Sequence, residues 1–288
     1  MTVDKILLGM AVNRNTTLRV NTIKYNIQDL MTQLKINNIK FERVSWYNDG
    51  LVLKNRAEKD IQKLDIYNEG NIYIQSLSSM IPPLVLAPKS GDKVLDLTAA
   101  PGSKTTQLAA LMKNTGEIIA NELDTIRFER LKYNIEKQGA TIVKSINSRG
   151  EKLGEKYPEY FDKVLLDVPC SGEGRFIINE PKTYRDWSMK KVNSLVKLQK
   201  KLLTSAYKAL KKNGVMVYST CTINKFENEF ILDWGIKNLG LKIVDINLAI
   251  KDSIHGDNER LDKSIDKSMK ILPSKSMEGF FIAKLKKE

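Results

Sequence analysis

The run Val94-Leu95-Asp96-Leu97-Thr98-Ala99-Ala100-Pro101-Gly102-Ser103-Lys104-Thr105 decides the fold class. It begins as a short buried-type strand, continues through small residues, and leads into a helical pattern over residues 106–112. Small residues at such a junction let backbone amides approach a ligand closely. The run contains neither the Gly-x-x-x-x-Gly-Lys-Ser/Thr pattern of a phosphate loop nor the Gly-x-Gly-x-x-Gly pattern of a dinucleotide site. It therefore predicts an α/β nucleoside site without a pyrophosphate.

Strand and helix patterns alternate downstream of this run. Strands are predicted at residues 117–121, 161–167 and 215–219, and a helix at residues 126–138. The alternation predicts a mostly parallel sheet with helices on both faces and ligands at the carboxyl ends of its strands. The polar stretch 251–270 has no clear period and predicts a long loop.

The upstream region has a different pattern. Its order is strand, helix, strand and strand, at residues 17–21, 26–34, 41–44 and 50–53. A unit of this size predicts a small α+β cap. An apolar, proline-punctuated segment then leads into the sheet, so we expect domains at residues 1–75 and 76–288.

Composition limits the partners. Among 288 residues, 47 Lys and Arg against 34 Asp and Glu give a net charge of +13, which favours an anionic partner such as nucleic acid. Two cysteines and one histidine exclude a zinc finger or a disulfide framework, and we expect no metal. No apolar run has the length of a membrane span, so we expect a cytoplasmic protein with reduced thiols. The sequence does not indicate an oligomeric state, and we take a monomer as the default expectation.

A carboxylate follows the second strand of the sheet. Glu122 lies 26 residues after Asp96, where its oxygens can accept both hydroxyls of a ribose. Without a phosphate-binding pattern, the nucleoside that fits is S-adenosylmethionine.

Both cysteines follow strands. Asp167-Val168-Pro169-Cys170-Ser171-Gly172 follows the third strand, and Ser219-Thr220-Cys221 ends the fourth. A free cysteine is usually a small buried hydrophobe. Here the only two cysteines lie at strand ends beside the expected cofactor, which favours a chemical role.

Methylation of cytosine carbon 5 would need such thiols. That carbon attacks a sulfonium methyl group poorly until a thiolate adds to carbon 6 and makes carbon 5 enamine-like. A carboxyl group such as Asp167 can hydrogen-bond ring nitrogen 3, and a cation such as Lys104 can stabilise the thiolate. A second cysteine can assist the final elimination.

On these and further motifs the chain resembles the Nol/Nop/Sun family of RNA cytosine carbon-5 methyltransferases, almost end to end. The motifs are Leu18-Arg19-Val20-Asn21, Gln75-x-x-Ser78-Ser79, the Ala99 to Lys104 loop, Asp167-x-Pro169-Cys170-Ser171-Gly172, Tyr218-Ser219-Thr220-Cys221, Glu227-Asn228-Glu229 and Gly279-Phe280-Phe281-Ile282-Ala283. The resemblance implies a Rossmann-like class I methyltransferase sheet, mostly parallel with an antiparallel last strand. It also implies that the cap is RNA-recognition-like.

The resemblance assigns roles as well. It implies that Cys221 is the nucleophile, that Cys170 assists product release, and that Lys104 and Asp167 act at the cytosine. The implied S-adenosylmethionine site comprises Thr98, Ala99, Ala100, Pro101, Gly102, Ser103, Lys104, Glu122, Arg127, Asn147 and Asp167. Asn147 stands where the family usually has Asp, and its side-chain carbonyl can accept one hydrogen bond from the adenine amine.

The expected partner is ribosomal or transfer RNA, with the target cytosine single-stranded or flipped out. Arg19 and Asn21 are candidate RNA contacts on the cap. Arg175, Arg185 and Trp187 are candidates on the loop after Cys170. A basic and aromatic loop suits a base that has left its stack.

Two alternatives stay open. A DNA cytosine methyltransferase would use Cys170 as its nucleophile and would not need the Thr220-Cys221 motif. An RNA-binding ribosome-assembly factor could keep the fold and have little or no activity. Replacing each cysteine separately distinguishes the first alternative, and titration with S-adenosylmethionine distinguishes the second.

Overall fold

A computed structural model of the chain describes residues 2–251 and 253–288. The helices in these ranges are α1 (Thr2–Met10), α2 (Ile27–Ile36), α3 (Glu58–Ile61), α4 (Asp65–Asn68), α5 (Leu77–Leu86), α6 (Ser103–Leu111), α7 (Thr125–Gln138), α8 (Leu153–Lys156), α9 (Met189–Ala209) and α10 (Glu229–Leu239). The strands are β1 (Thr17–Val20), β2 (Phe41–Val44), β3 (Tyr47–Leu53), β4 (Ile72–Ile74), β5 (Lys93–Asp96), β6 (Glu117–Glu122), β7 (Val143–Asn147), β8 (Phe161–Asp167), β9 (Leu210–Thr220), β10 (Lys242–Val244), β11 (Ser253–His255), β12 (Met269–Ile271) and β13 (Phe280–Lys286).

The larger sheet has the order β11-β12-β13-β9-β8-β5-β6-β7, and β10 also pairs with β13. Strands β9, β8, β5, β6 and β7 are parallel, whereas β13 runs antiparallel to β9. This arrangement confirms the predicted mostly parallel sheet with an antiparallel last strand. The carboxyl ends of the parallel strands share one edge, and the loops that follow them meet there.

The central strands are apolar because both faces of the sheet are covered. Val94 and Leu95 of β5 and Val164 and Leu165 of β8 are all fully buried. The two members of each pair point to opposite faces, so one packs into each of the two apolar layers of the domain. This packing fixes the strand ends that carry the polar site residues.

The cap is a four-stranded antiparallel sheet with the order β2-β3-β1-β4. Helix α2 begins after Asn26, whose side chain accepts a hydrogen bond from the Asp29 amide, and it buries Leu30 and Leu34. The predicted β-α-β-β order is thus confirmed, and β4 completes the sheet. The domain division after residue 75 stays a prediction.

Helix α5 contains Pro82 and Pro83, and two consecutive prolines usually indicate the end of a helix. Pro83 has no amide hydrogen to give to the carbonyl of Ser79 four residues earlier. The Gln75 side chain donates to that carbonyl instead, at 3.1 Å from Nε2. Buried packing along most of the helix adds to this substitute bond, so the helix continues through both prolines.

The expectation of a long loop over residues 251–270 was wrong. Strands β11 and β12 lie in this stretch and extend the larger sheet beyond β13. Strands of three residues are too short for the alternation of apolar and polar residues to be recognised in a polar sequence. Residue 252 of this stretch lies outside the described residues.

Candidate active site

A cavity of about 980 Å³ lies at the carboxyl edge of the parallel strands. Thr98, Lys104, Asp167, Cys170 and Cys221 are among its lining residues. The loop after β5, the two cysteine loops and the segment before β13 therefore open into one space, as the shared strand edge predicts.

The two thiols are in contact. The Sγ atoms of Cys170 and Cys221 lie 3.2 Å apart. Strands β8 and β9 are parallel neighbours that pair Asp167 with Ser219, so the loops after them begin side by side. The hydrogen bond between the thiols lowers the pKa of Cys221 and raises the pKa of Cys170 well above its ordinary value. Cys221 is therefore the better thiolate, with Cys170 as its proton donor.

A cation faces the same thiol. Arg175 lines the cavity, and its charge is a further cause that lowers the pKa of Cys221. The interaction is mutual, since Cys221 raises the pKa of Arg175. The Arg175 loop is tied to the nucleophile by its backbone, because the Gly174 amide donates to the Cys221 carbonyl at 3.0 Å.

An ion pair lies near the thiols. Lys104 Nζ is 2.7 Å from Asp167 Oδ2 and donates to Ser79 Oγ at 2.7 Å. The other oxygen of Asp167 accepts from the Ser219 hydroxyl at 2.7 Å. These bonds fix the carboxylate at the end of β8 while a quarter of its side chain (26%) stays exposed to the cavity.

Buried Glu227 supports the Cys170 loop. Its Oε1 accepts from the Ser171 amide and from Gln199 Nε2, each at 2.9 Å. Gln199 also donates to the Pro169 carbonyl at 2.9 Å. The residues on either side of Cys170 are thereby anchored to α9 and to the segment before α10.

The opposite end of the cavity carries the nucleoside-type groups. Glu122 is buried at the end of β6, where one oxygen accepts from the Asp124 amide at 3.0 Å and the other lies 3.5 Å from Arg127. Arg127 also donates to the carbonyl of Ala100 at 2.8 Å. The Oδ1 atom of buried Asn121 has no partner in the described chain, although the residue lines the cavity. A carboxylate, a vacant acceptor and a small-residue loop fit a nucleoside that has both hydroxyl and amino donors.

The structure brings together most of the predicted cofactor residues. Thr98, Ala100, Pro101, Ser103, Lys104, Glu122, Arg127 and Asp167 line the cavity. Ala99, Gly102 and Asn147 are not among its lining residues in the described chain. Gly102 instead precedes α6 at a φ of 102°, and Asn147 Nδ2 donates to the carbonyls of Glu122 and Leu123. Asn147 thus ties β7 to the residues that follow β6.

The two cap residues expected at RNA are placed differently. Arg19 and Asn21 are fully buried. Arg19 donates to Gln75 Oε1 at 2.8 Å and to Thr106 Oγ1 at 2.7 Å, so it joins the cap to α6. The assignment of Arg19 and Asn21 as direct RNA contacts does not agree with the burial of both side chains. An arginine inside a short apolar strand gives no sequence signal that distinguishes a buried role from an exposed one.

The loop candidates are exposed. Arg185 lies outside the cavity beside Asp186, and Trp187 donates from Nε1 to Glu173 at 2.8 Å with 37% of its surface exposed. Arg175 is the one of these three that lines the cavity.

Several lining residues were not among the predicted site residues. They are Ser79, Asn121, Glu151, Glu278 and Phe280. Ser79 and Phe280 lie inside motifs quoted above, so motif membership could have identified them. Glu278 reaches the site because β13 is inserted beside β9, a pairing that spacing does not predict.

Two structural features bear on the partners of the protein. Among residues 2–251 and 253–288, no group of three or more His, Cys, Asp and Glu side chains is placed to hold a metal ion. No helix in those ranges is both long and apolar enough to cross a membrane.

Comparison with known proteins places the chain. The family model described as 16S rRNA methyltransferase RsmB/F matches residues 83–286. The tRNA (cytosine(49)-C(5))-methyltransferase of Pyrococcus abyssi is 38% identical over 276 residues, which cover 94% of this chain and 88% of that protein. Ribosomal RNA small subunit methyltransferase F of Shewanella oneidensis is 35% identical over 292 residues. The match covers 100% of this chain and only 60% of that longer protein.

Solved structures agree. A methyltransferase homolog protein from Pyrococcus horikoshii superposes with a TM-score of 0.87 at 34% identity, covering 99% of this chain and 90% of the other. NSun6 from Pyrococcus horikoshii with SFG gives a TM-score of 0.85 at 25% identity, covering 99% and 94%. These matches confirm the resemblance noted from the motifs, and the chain belongs to the RsmB/F family of Sun-type methyltransferases.

Proposed function

We propose that this protein transfers a methyl group from S-adenosylmethionine to carbon 5 of a cytosine in ribosomal or transfer RNA. The observation that carries the proposal is the 3.2 Å contact between Cys170 and Cys221 in the cavity that also holds the Lys104–Asp167 pair. The names of the relatives, which act on tRNA cytosine or ribosomal RNA, support this substrate class.

The cofactor would supply an electrophilic methyl group when bound. Glu122 would accept hydrogen bonds from its ribose hydroxyls, and the neighbouring Asn121, which also lines the cavity, has a side-chain oxygen without a partner in the described chain. The loop from Thr98 to Lys104 gives backbone groups a close approach to the ligand. The assignment of Asn147 to the adenine amine stays a prediction for direct binding measurement.

The chain's own groups perform the covalent steps. The Cys221 thiolate forms a bond to carbon 6 of the cytosine, and the electron pair of the 5,6 double bond becomes available at carbon 5. Asp167, held by Lys104, hydrogen-bonds the ring and stabilises the adduct. After methylation, the Cys170 thiol gives its proton to the departing Cys221 sulfur and takes the proton of carbon 5 in its place, while the 5,6 double bond forms again and the Cys221–carbon bond breaks. The high pKa of Cys170 keeps it a thiol that can protonate the departing Cys221.

The decisive experiment transfers labelled methyl to total RNA from a strain lacking this gene. Wild type, Cys221→Ala and Cys170→Ala are compared, with size fractionation and bisulfite mapping of the labelled RNA. We expect label in one RNA class, no label with Cys221→Ala, and a covalent RNA adduct that accumulates with Cys170→Ala.

Other outcomes would favour the alternatives. Loss of the adduct in Cys170→Ala, with adduct retained in Cys221→Ala, would assign the nucleophile as in a DNA methyltransferase. If folded wild type labelled no RNA and also did not bind S-adenosylmethionine in a titration, the result would favour the ribosome-assembly factor. The match to relatives named as methyltransferases does not favour that factor.

We further propose that the enzyme acts in the cytoplasm as a monomer and without a metal ion. Sedimentation of the pure protein tests whether it is a monomer, and methyl transfer in the presence of a chelator tests whether it needs a metal ion. A dimer, or activity lost to the chelator and restored by a divalent cation, would contradict these expectations.

A further inference from the structure

A second cavity of about 330 Å³ adjoins the cysteine cavity. Ser79, Pro101, Ser103 and Glu278 line both cavities, so the two share one boundary. Its volume lies within the range of roughly 300–1,000 Å³ found for small-ligand sites. No role of the catalytic machinery described above uses this space.

The walls of this second cavity are held firmly. Asn21 Nδ2 donates to the carbonyls of Gly70 and Gln138, each at 2.8 Å, and so binds the cap to the end of α7. A Cβ atom on Gly70 would lie 2.1 Å from the carbonyl oxygen of Lys137, which shows how closely the two units approach. Asn134 Nδ2 donates to Pro101 and fixes the cofactor loop against α7. The cavity is therefore preformed rather than a gap between loose parts.

Its lining is aromatic and carries both charges. Tyr67, Tyr73 and Lys137 line it, and Lys137 Nζ lies 3.7 Å from the Tyr67 centroid. The fully buried Arg19, which does not line the cavity, has its Cζ 5.2 Å from the Tyr73 centroid. Aromatic rings are surfaces on which unstacked RNA bases pack. The other charged lining residues are Glu58 and Glu278.

Two buried polar atoms in the lining have no partner. Gln138 is 2% exposed and donates from Nε2 to the Ile72 carbonyl, but its Oε1 accepts no bond in the described chain. Ser76 Oγ is buried and unpaired as well. A buried acceptor without a donor is costly, and a ligand with an N–H group would satisfy it.

We propose that this second cavity holds the base of the nucleotide next to the target cytosine. The inference rests on the proposed function, since it requires an RNA whose target base enters the adjoining cavity. Each RNA base has a π-face for Tyr67 or Tyr73 and an N–H group for Gln138 Oε1. The pocket would therefore pull the flanking nucleotide out of its stack and help expose the cytosine.

The test measures binding of a short single-stranded RNA with one central cytosine, by fluorescence anisotropy. Each flanking nucleotide in turn is replaced by an abasic residue. The proteins are wild type, Ser76→Phe, which places a bulky ring at the wall of the cavity and removes no side-chain hydrogen bond of the described chain, and the matched control Ser76→Ala, which adds no bulk.

We expect one abasic position to weaken binding by about tenfold, because stacking of a base on an aromatic side chain has an effect of that order. Ser76→Phe should weaken binding of the intact RNA by the same factor. It should not weaken binding of the RNA with that abasic position any further, whereas Ser76→Ala should have a smaller effect on either RNA. Thermal unfolding reports whether Ser76→Phe is folded, and the abasic series on wild type decides the question if it is not.

The proposal would be overturned if every abasic RNA bound as tightly as the intact RNA. It would also be overturned if the loss of affinity caused by Ser76→Phe multiplied with the loss caused by the abasic position, and the cavity would then be hydrated space. Anisotropy needs no methyl transfer. A protein that binds in the expected pattern and methylates no RNA would thus contradict the proposed function while supporting the pocket.

Discussion

Lys104 Nζ lies 2.7 Å from Asp167 Oδ2, and the lysine side chain is nearly buried (10% exposed). Ser79 and Ser219 hold the two partners from opposite sides. The pair thus presents one oriented carboxylate beside the thiols, and neither partner can be removed without leaving the other charge poorly compensated.

Asp167→Asn and Lys104→Met should each lower the rate of methyl transfer by roughly 10²–10⁴-fold, the usual size of a lost acid–base contribution. The double variant should be little worse than either single variant, because the two groups act as one unit. Single-turnover transfer of labelled methyl measures this. Lys211→Met is the matched control, since Lys211 forms a 2.6 Å ion pair with Asp162 at the far end of β8. Losses that multiply in the double variant would show that the two residues act independently.

The charge of Arg175 should set the pH at which Cys221 becomes reactive. Arg175 lowers the pKa of Cys221, so Arg175→Gln should raise that pKa and move the acid limb of the kcat/KM profile to higher pH. Arg175→Lys keeps a positive charge, so its acid limb should lie between those of wild type and Arg175→Gln. The full profile of each variant measures the effect, and activity lost near neutral pH should return in alkali.

Arg185→Gln provides the control for that shift, because Arg185 is exposed and lies beside Asp186 outside the cavity. An unchanged acid limb in Arg175→Gln, with activity lower at every pH, would assign Arg175 to RNA contact rather than to the thiolate.

Gly174 joins two loops that have no room for a side chain. Its amide donates to the Cys221 carbonyl and its carbonyl accepts from Gly279, while an added Cβ would lie 1.8 Å from the Gly279 carbonyl oxygen. Gly174→Ala should therefore displace the Arg175 loop and cost about 1–3 kcal/mol of stability, as overpacking does. Chemical denaturation measures the stability, and thiol alkylation measures the reactivity of Cys221.

Gly240→Ala is its control. Gly240, unlike Gly174, has a left-handed φ of 69°, and no described atom lies within 4 Å of an added Cβ, so this variant loses stability through its backbone without displacing a neighbouring loop. Normal Cys221 reactivity in a destabilised Gly174→Ala would mean that the loop contact serves folding only.

The sequence predicted the sheet and the thiol pair for a physical reason. Doubly covered parallel strands are continuous apolar runs, and polar residues directly after them must meet at one edge. Cys170 and Cys221 could be expected in contact because each follows its strand closely. Arg19 and Glu278 could not be placed, since the side-chain contacts of Arg19 and the strand pairing that brings Glu278 to the site involve residues distant in the sequence. Helix α5 could not be predicted because a side chain just before it, that of Gln75, replaces the backbone hydrogen bond that Pro83 cannot make.

The last prediction concerns Asp96, a fully buried carboxyl at the end of β5. Burial raises its pKa to about 7, although the Thr105 hydroxyl donates to it at 2.7 Å. A carboxyl whose folded pKa exceeds its unfolded value binds more protons in the folded state, so stability falls as pH rises between those two values. Asp96→Asn keeps the shape and cannot ionise. Between pH 5 and pH 7, wild type should therefore lose up to about 1.4 kcal/mol per pH unit relative to the variant. Thermal or urea unfolding of both proteins across that range measures the difference, with Asp92→Asn, on the partly exposed turn before β5, as control. Parallel stability curves for wild type and Asp96→Asn would show that Asp96 is ionised in the folded protein throughout, with Thr105 and nearby Lys104 offsetting the cost of burial.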